Sequence, residues 1–255
     1  VGIHVDGASG AFIAPFQDDI PAWDFRLPSV LSISASGHKF GESVCGTGWV
    51  VWRQREGLSE HVAISVSYLG GKADSYTLNF SRPASGIFVQ YYKFNRLGRN
   101  GYRALRDNQA SNAKHLRDAL KSFNSEDGRP YFTMLDAGDT KCLPVVAAML
   151  NPDLNLPFDD IDLQHQMQQY HWYVSGYRMS YHDPNDEQTK PLFTDVPAQQ
   201  TMFRVVVKAN NTRVMMDNLI ASFKACLEEM ASLGPGFQSM HAPKKLLTGS
   251  KGHAC

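Results

Sequence analysis

Lys39 is the residue of this sequence whose surroundings best suit a nucleophile. It stands in Ser34-Ala35-Ser36-Gly37-His38-Lys39-Phe40-Gly41, a stretch of small residues with a histidine beside the lysine and apolar runs to either side. Most lysines decorate solvated faces. One held in a small-residue loop between strands is partly desolvated, which lowers its pKa and frees the amine to attack a carbonyl carbon. Upstream, Asp6 ends the apolar run of residues 1–6 and opens onto Gly7, Ala8, Ser9 and Gly10. An acid and an amine at neighbouring strand ends can grip a heteroaromatic aldehyde from two sides, the amine on its carbonyl carbon and the acid keeping a ring nitrogen protonated. Arg204 is a third candidate. It is a permanent cation inside Met202-Phe203-Arg204-Val205-Val206-Val207 and calls for an anionic partner. That partner is either a ligand carboxylate, held bidentately, or a structural Asp or Glu elsewhere.

The elements that must position these groups follow from hydrophobic patterning. Residues 1–6, 30–36 and 48–52 read as strands, with Gly-rich connections between them, and 37–46 as the loop that carries Lys39. Polar chemistry at such strand ends is the habit of α/β folds. From residue 84 the pattern turns helical: Ile87, Tyr91, Phe94 and Leu97 recur at spacings of three and four, and Tyr102, Leu105, Ala113, Leu116 and Leu120 continue the period. The polar break at 124–130 marks a domain boundary. Beyond it come an apolar run at 143–150, a helix over 157–171 opened by Pro157, Asp159 and Asp160, and a strand at 202–207. A last helix carries the stripe Met216, Leu219, Ile220, Phe223, Leu227 and Met230 and stops at Gly234-Pro235-Gly236. The expected domains are 1–83, 84–127 as connecting helices, 128–236 as a small α+β unit, and 237–255 as a flexible tail.

Composition narrows the function class. With 43% hydrophobic residues and 11% aromatics over 255 positions the chain can bury a substantial core. Lys plus Arg and Asp plus Glu balance at 25 each, so there is no basic field for nucleic acid. No run approaches the ~20 apolar residues of a membrane-spanning helix. Cys45, Cys142, Cys226 and Cys255 form no C-x-x-C pair and read as free thiols of a reducing compartment, with the cytoplasm as the default location. His165 and His171 have no acidic or thiol set beside them, so no metal site is expected. Trp23, Trp49, Trp52 and Trp172 read as core residues. Ile3, His4 and Val5 look like the inside of a buried strand, and a chain opening there on Val1 reads as part of a longer one.

Five segments carry a resemblance to a known family. His4-Val5-Asp6-Gly7-Ala8-Ser9-Gly10, Trp23-Asp24-Phe25-Arg26-Leu27-Pro28, Ser32-Ile33-Ser34-Ala35-Ser36-Gly37-His38-Lys39-Phe40-Gly41, Tyr68-Leu69-Gly70-Gly71 and Asn79-Phe80-Ser81-Arg82-Pro83 resemble glutamate decarboxylase, a group of pyridoxal-phosphate (PLP) decarboxylases. The likeness is dense to about residue 103 and later thins to Arg204 and the helix after it. It implies an α/β, fold-type I PLP-dependent transferase-like architecture, of which this chain is the C-terminal part of the large domain plus a small α+β C-terminal domain. It implies decarboxylation of L-glutamate to 4-aminobutanoate and CO2, with Lys39 carrying PLP as a Schiff base. Asp6 partners the pyridine nitrogen, His38 neighbours the reacting carboxylate and Ser36 binds phosphate. Phe80 and Ser81 reach into another subunit's site, the first near the distal substrate carboxylate and the second on the cofactor phosphate. Arg204 clamps the α-carboxylate, and the assembly is a homo-oligomer with shared active sites.

Without the resemblance, Asp6 reads equally as a helix cap and His38 as a loop-bonding side chain. Some details depart from the family: Gly7 stands where relatives often carry Ala, Glu42-Ser43-Val44-Cys45 is unusual after the lysine loop, and 182–197 is a longer insertion. His253 is placed like the site-closing histidine of some bacterial relatives, but its neighbours differ and a flexible tail is the reading. Lys244, Lys245 and Lys251 surround no aromatic anchor, so calmodulin binding is not expected. The rival readings are another amino-acid decarboxylase of the same fold group, acting on an aromatic or sulfinate substrate, and a non-catalytic interaction module.

Overall fold

The structure is a computed structural model. It describes residues 1–58, 63–66, 73–76, 81–136, 138, 141–179, 200–234, 237 and 239. The Tyr68-Leu69-Gly70-Gly71 segment, Phe80, the insertion at 182–197 and the tail with His253 lie outside the described residues. The chain divides into two compact units, Val1–Ala110 and Ser111–Cys255. The division falls inside a long helix, and the 124–130 break sits within the second unit.

In the first unit β1 (Ile3–Asp6) runs parallel to β2 (Val30–Ser36), which pairs antiparallel with β3 (Gly48–Trp52). The latter two strands occupy the bounds read from sequence. Among the described residues β1 hydrogen-bonds β2 alone, with Ile3 45% exposed and Val5 half-buried. A two-stranded ribbon of β4 (Ile64–Val66) and β5 (Ala73–Ser75) follows.

The turn that feeds β2 is tied from below. Arg53 donates from Nε to the Val30 carbonyl and from Nη2 to the carbonyl of Phe25, while its guanidinium lies over the Phe25 ring. Arg26 pairs with Asp24 at 2.8 Å, holding that carboxyl below its ordinary range. The tryptophan-led motif at residues 23–28 is therefore a strap that sets where β2 begins.

Helix α1 (Ser85–Ser122) is one element broken at Gly98, whose φ of 56° and ψ of −167° lie outside helical space. Such a conformation is open to glycine and strained for other residues. Its apolar period announces the helix but not its buried face. Ile87, Phe88, Tyr91 and Tyr92 are 60–71% exposed, and it is Gln90 that is fully buried. Phe94 and Tyr102 join Phe12, Phe16 and Trp49 in an aromatic cluster with ring centroids 5.5–6.3 Å apart.

The second unit is an antiparallel sheet in the order β6 (Phe132–Met134), β7 (Val145–Leu150), β9 (Thr201–Val206), β8 (Ser175–Arg178). Val146, Ala148 and Leu150 alternate inward along β7, as half-buried strands do. They meet α3 (Arg213–Ser232), which buries Met216, Leu219, Phe223, Cys226, Leu227 and Met230 and is capped by the Thr212 hydroxyl on Met215 N. The far end of α1 adds Ala113, Leu116 and Leu120 to this core. α2 (Asp160–Gln169) opens on a capping box in which Asp159 and Asp162 satisfy each other's backbone N–H groups. Trp172 packs against the same core, whereas Trp49 in the first unit is 39% exposed, so the tryptophans are not uniformly core residues.

Candidate active site

β1 and β2 are the pair that matters. Because they are parallel, their carboxyl ends coincide, with Asp6 opposite Ser34 in the register and Ser36 N donating to the Ala8 carbonyl. Asp6 Oδ1 accepts from Ala8 N at 3.0 Å and from the Ser34 hydroxyl at 3.3 Å. Those two bonds orient the carboxylate. Gly7 is needed here, since a methyl on it would stand 2.6 Å from the Ser34 carbonyl oxygen and 2.8 Å from Ala11 Cβ.

Beyond Ser36 the backbone turns on itself. Lys39 N donates to Ser36 O, Ser43 N to Gly37 O, and His38 N to Thr47 O. His38 Nδ1 also lies 2.9 Å from Thr47 O. A carbonyl only accepts, so Nδ1 carries the proton and Nε2 is the basic nitrogen of the neutral ring. Gly37, Phe40 and Gly41 are buried while Lys39 between them is exposed. The desolvation read from its small neighbours is thus not supplied by the described residues; what they supply is a rigid backbone under an exposed amine.

The other sequence candidates fall as follows. Ser36 is half-buried at the end of β2, and Ser81 is exposed in the bend before α1. Arg204 belongs to the second unit, on the exposed face of β9, opposite Ala147 and Ser175. Its guanidinium lies 5.8 Å from the centre of the Tyr177 ring, and no carboxylate among the described residues pairs with it. The buried-strand setting that suggested an internal ion pair is corrected by the strand's alternation, which turns Phe203 inward and Arg204 out. No group of His, Cys, Asp and Glu among the described residues is arranged to hold a metal ion.

Sequence reasoning missed three residues around the lysine loop: Thr47, Gln90 and Tyr102. A glutamine inside an aromatic helical stretch was the available signal. Gln90 Nε2 and the Tyr102 hydroxyl both donate to the Gly41 carbonyl, at 2.7 and 2.9 Å.

Comparisons with known proteins agree with this geometry. The model of the pyridoxal-dependent decarboxylase conserved domain matches residues 1–131. A glutamate decarboxylase of Aliivibrio fischeri is 35% identical over 231 residues, covering 91% of this chain and 45% of that protein. One from Arabidopsis thaliana is 36% identical over the same length, 41% of it covered. The chain thus spans less than half the length of these relatives. Among solved structures, the glutamate decarboxylase of Lactobacillus brevis superposes with a TM-score of 0.76 at 32% identity, over 90% of this chain and 47% of that one. A cysteine desulfurase from Escherichia coli, 18% identical with a TM-score of 0.59 over 90% of this chain and 52% of its own, shares the fold alone. The architecture is that of the fold-type I pyridoxal-phosphate enzymes. The aligned ends of β1 and β2, and a family model spanning more than half of the residues, lead to one statement: the chain belongs to the pyridoxal-dependent decarboxylase family.

Proposed function

We propose that this chain supplies the lysine-bearing part of an L-glutamate decarboxylase, which releases CO2 and forms 4-aminobutanoate. The observation that carries the reading is that Asp6 ends β1 and Lys39 lies in the turn following the adjacent parallel strand β2, whose carboxyl end is aligned with that of β1. Relatives at 35–36% identity named glutamate decarboxylase support the substrate.

The residues present fit the cofactor of the family. Asp6 has one oxygen engaged by two protein donors and, among the described residues, the other without a donor and so suited to a ring N–H. Lys39 presents an exposed amine, and Ser36 and Ser81 present hydroxyls suited to phosphate oxygens. When bound, pyridoxal phosphate supplies an electron sink for the pair left on Cα when CO2 departs.

The protein's part is to hold and orient. Asp6, oriented by Ala8 N and the Ser34 hydroxyl, would be the carboxylate partner of the ring nitrogen. His38, fixed through Nδ1, offers Nε2 beside the reacting carboxylate. The Cα–carboxylate bond breaks, its electron pair stays on the substrate, and Cα takes up one proton from Lys39 or His38. Arg204, exposed and without a carboxylate partner among the described residues, is proposed to clamp the α-carboxylate, where a bidentate guanidinium fixes orientation. Phe80 is assigned to the distal carboxylate by resemblance and lies outside the described residues.

We place the enzyme in a homo-oligomer, with Phe80 and Ser81 serving a neighbouring subunit's site. The exposed row of Ile87, Phe88, Tyr91 and Tyr92 just beyond them supports an interface there. No helix among the described residues is long and apolar enough to cross a membrane. A cytoplasmic location is proposed, supported by the free thiols Cys45 and Cys226.

The test is CO2 release by the full-length protein with added cofactor, from L-glutamate, with L-aspartate and an aromatic amino acid as controls. Release from glutamate alone that vanishes in Lys39→Ala is the expected result. Release from the aromatic substrate instead would overturn the substrate, and release from none would favour an interaction module.

A further inference from the structure

Among the described residues Lys39 makes one backbone hydrogen bond, its N donating to Ser36 O, and the residue is exposed, so its direction is set by the backbone on either side of it. That backbone is gripped from one place. The Gly41 carbonyl, two residues beyond the lysine, accepts from Gln90 Nε2 and from the Tyr102 hydroxyl. The two donors are also bonded to each other, Gln90 Nε2 donating to the Tyr102 oxygen at 3.2 Å. Both hydrogens of the amide, the phenol hydrogen and both lone pairs of the carbonyl are thereby used. All three groups are buried, where an unmade bond carries its full desolvation penalty.

The spacing of the donors is the informative feature. Gln90 and Tyr102 are 12 residues apart. On a straight α-helix that separation is about 18 Å along the axis, too far for the two side chains to meet on one atom. They meet because α1 is folded at Gly98, which lies between them with a φ of 56°. Its Cβ position is open space, so the demand for glycine there is one of backbone conformation alone.

The first arm of α1 makes two further contacts with the loop. Ser43 Oγ donates to the Gly86 carbonyl at 2.8 Å, and Gly86 lies flush against Thr47, whose carbonyl holds His38. Gly37 packs directly on Gln90 Oε1, leaving no room for a side chain.

We propose that α1, bent at Gly98, is a two-armed clamp in which Gln90 and Tyr102 are positioning residues that fix the Gly41 carbonyl and so the direction in which Lys39 is presented. The assignment rests on Lys39 as the cofactor-bearing lysine for its consequence in catalysis, but the clamp itself is a property of the protein alone. Burial and the Glu42 charge push the Tyr102 phenol up to about 12, so its hydrogen stays available to the carbonyl throughout the working range of pH. Gln90 carries no charge to titrate.

The experiment uses the full-length protein and three variants: Gln90→Met, which keeps volume and removes the donors, Tyr102→Phe, and Gly98→Ala. Two readouts are taken. Amide hydrogen exchange of the peptide covering 38–46 is compared with that of β1, β2 and β7, and hydroxylamine-induced release of the cofactor is timed. The expected result is exchange at 38–46 faster by about tenfold or more in each variant, with β1, β2 and β7 unchanged, and faster release in step with it. In the double variant Gln90→Met, Tyr102→Phe the effects are non-additive, since the two share one network. Unchanged exchange at 38–46 in both single side-chain variants overturns the clamp, and so does acceleration spread evenly over the first unit. If the wild-type protein holds no cofactor at Lys39, the proposed function fails, and exchange by itself still decides for or against the clamp.

Discussion

Asp160 gives the second unit an inverted pH dependence. Its carboxylate is buried where β7, α2 and β9 meet, accepting from Leu150 N at 2.9 Å and from the Thr201 hydroxyl at 2.7 Å. Burial raises its pKa from the ordinary 3.8 to about 6, against the lowering effect of those two bonds. The folded state therefore binds a proton more tightly than the unfolded chain. This stabilising contribution is complete below the unfolded value and is lost as pH rises through about 6. In full the shift corresponds to about 3 kcal/mol; between pH 5 and pH 7.5 the linkage relation gives a loss of about 1 kcal/mol, on the order of tenfold in the unfolding constant. Asp160→Asn removes the titration but keeps an acceptor for Leu150 N. The assay is urea denaturation read by hydrogen exchange on peptides of β7 and β9, so that the second unit is followed by itself. The wild type should lose about 1 kcal/mol more than Asp160→Asn over that interval. A difference near zero, or one of opposite sign, would refute the reasoning.

Other expectations follow from neighbouring parts of the structure. Arg117 and Asp136 form a 2.6 Å ion pair with side chains only 3% and 12% exposed, so Asp136→Ala, which strands the cation, should destabilise the second unit by about 3–5 kcal/mol in the same assay. Asp6→Asn in the full-length protein should leave the cofactor attached to Lys39 and lower kcat by about a hundredfold or more, measured as CO2 release, because an amide cannot sustain the ring's positive charge. Replacing Phe88 and Tyr92, 71% and 60% exposed, with lysine should shift the full-length protein to smaller assemblies in sedimentation velocity without loss of helical content.

The setting of the candidate site was legible in sequence where it is local. Asp6, Ser36, His38 and Lys39 are set by two strands whose apolar runs end in Gly and Ser, and β2 and β3 occupy the bounds their alternation gives. The clamp was not legible, because the bend at Gly98 has no signal beyond a glycine in a long helical pattern, and Gln90 is buried only once that bend exists. β6 and β8 also escaped notice. β6 has three residues, and β8, in Ser175-Gly176-Tyr177-Arg178, has no inward apolar alternation; both owe their existence to pairing with β7 and β9. The exposed face of β9 was misread for a related reason, since a run of apolar residues does not by itself show which side of a sheet is covered.

The most direct test of the central claim is chemical. Full-length protein loaded with pyridoxal phosphate is reduced with borohydride, digested, and searched by mass spectrometry for the phosphopyridoxyl group. The account predicts the group on Lys39, and its disappearance, with no transfer to another lysine, in Lys39→Ala. Label on a different lysine in the wild type, or none at all, would contradict it.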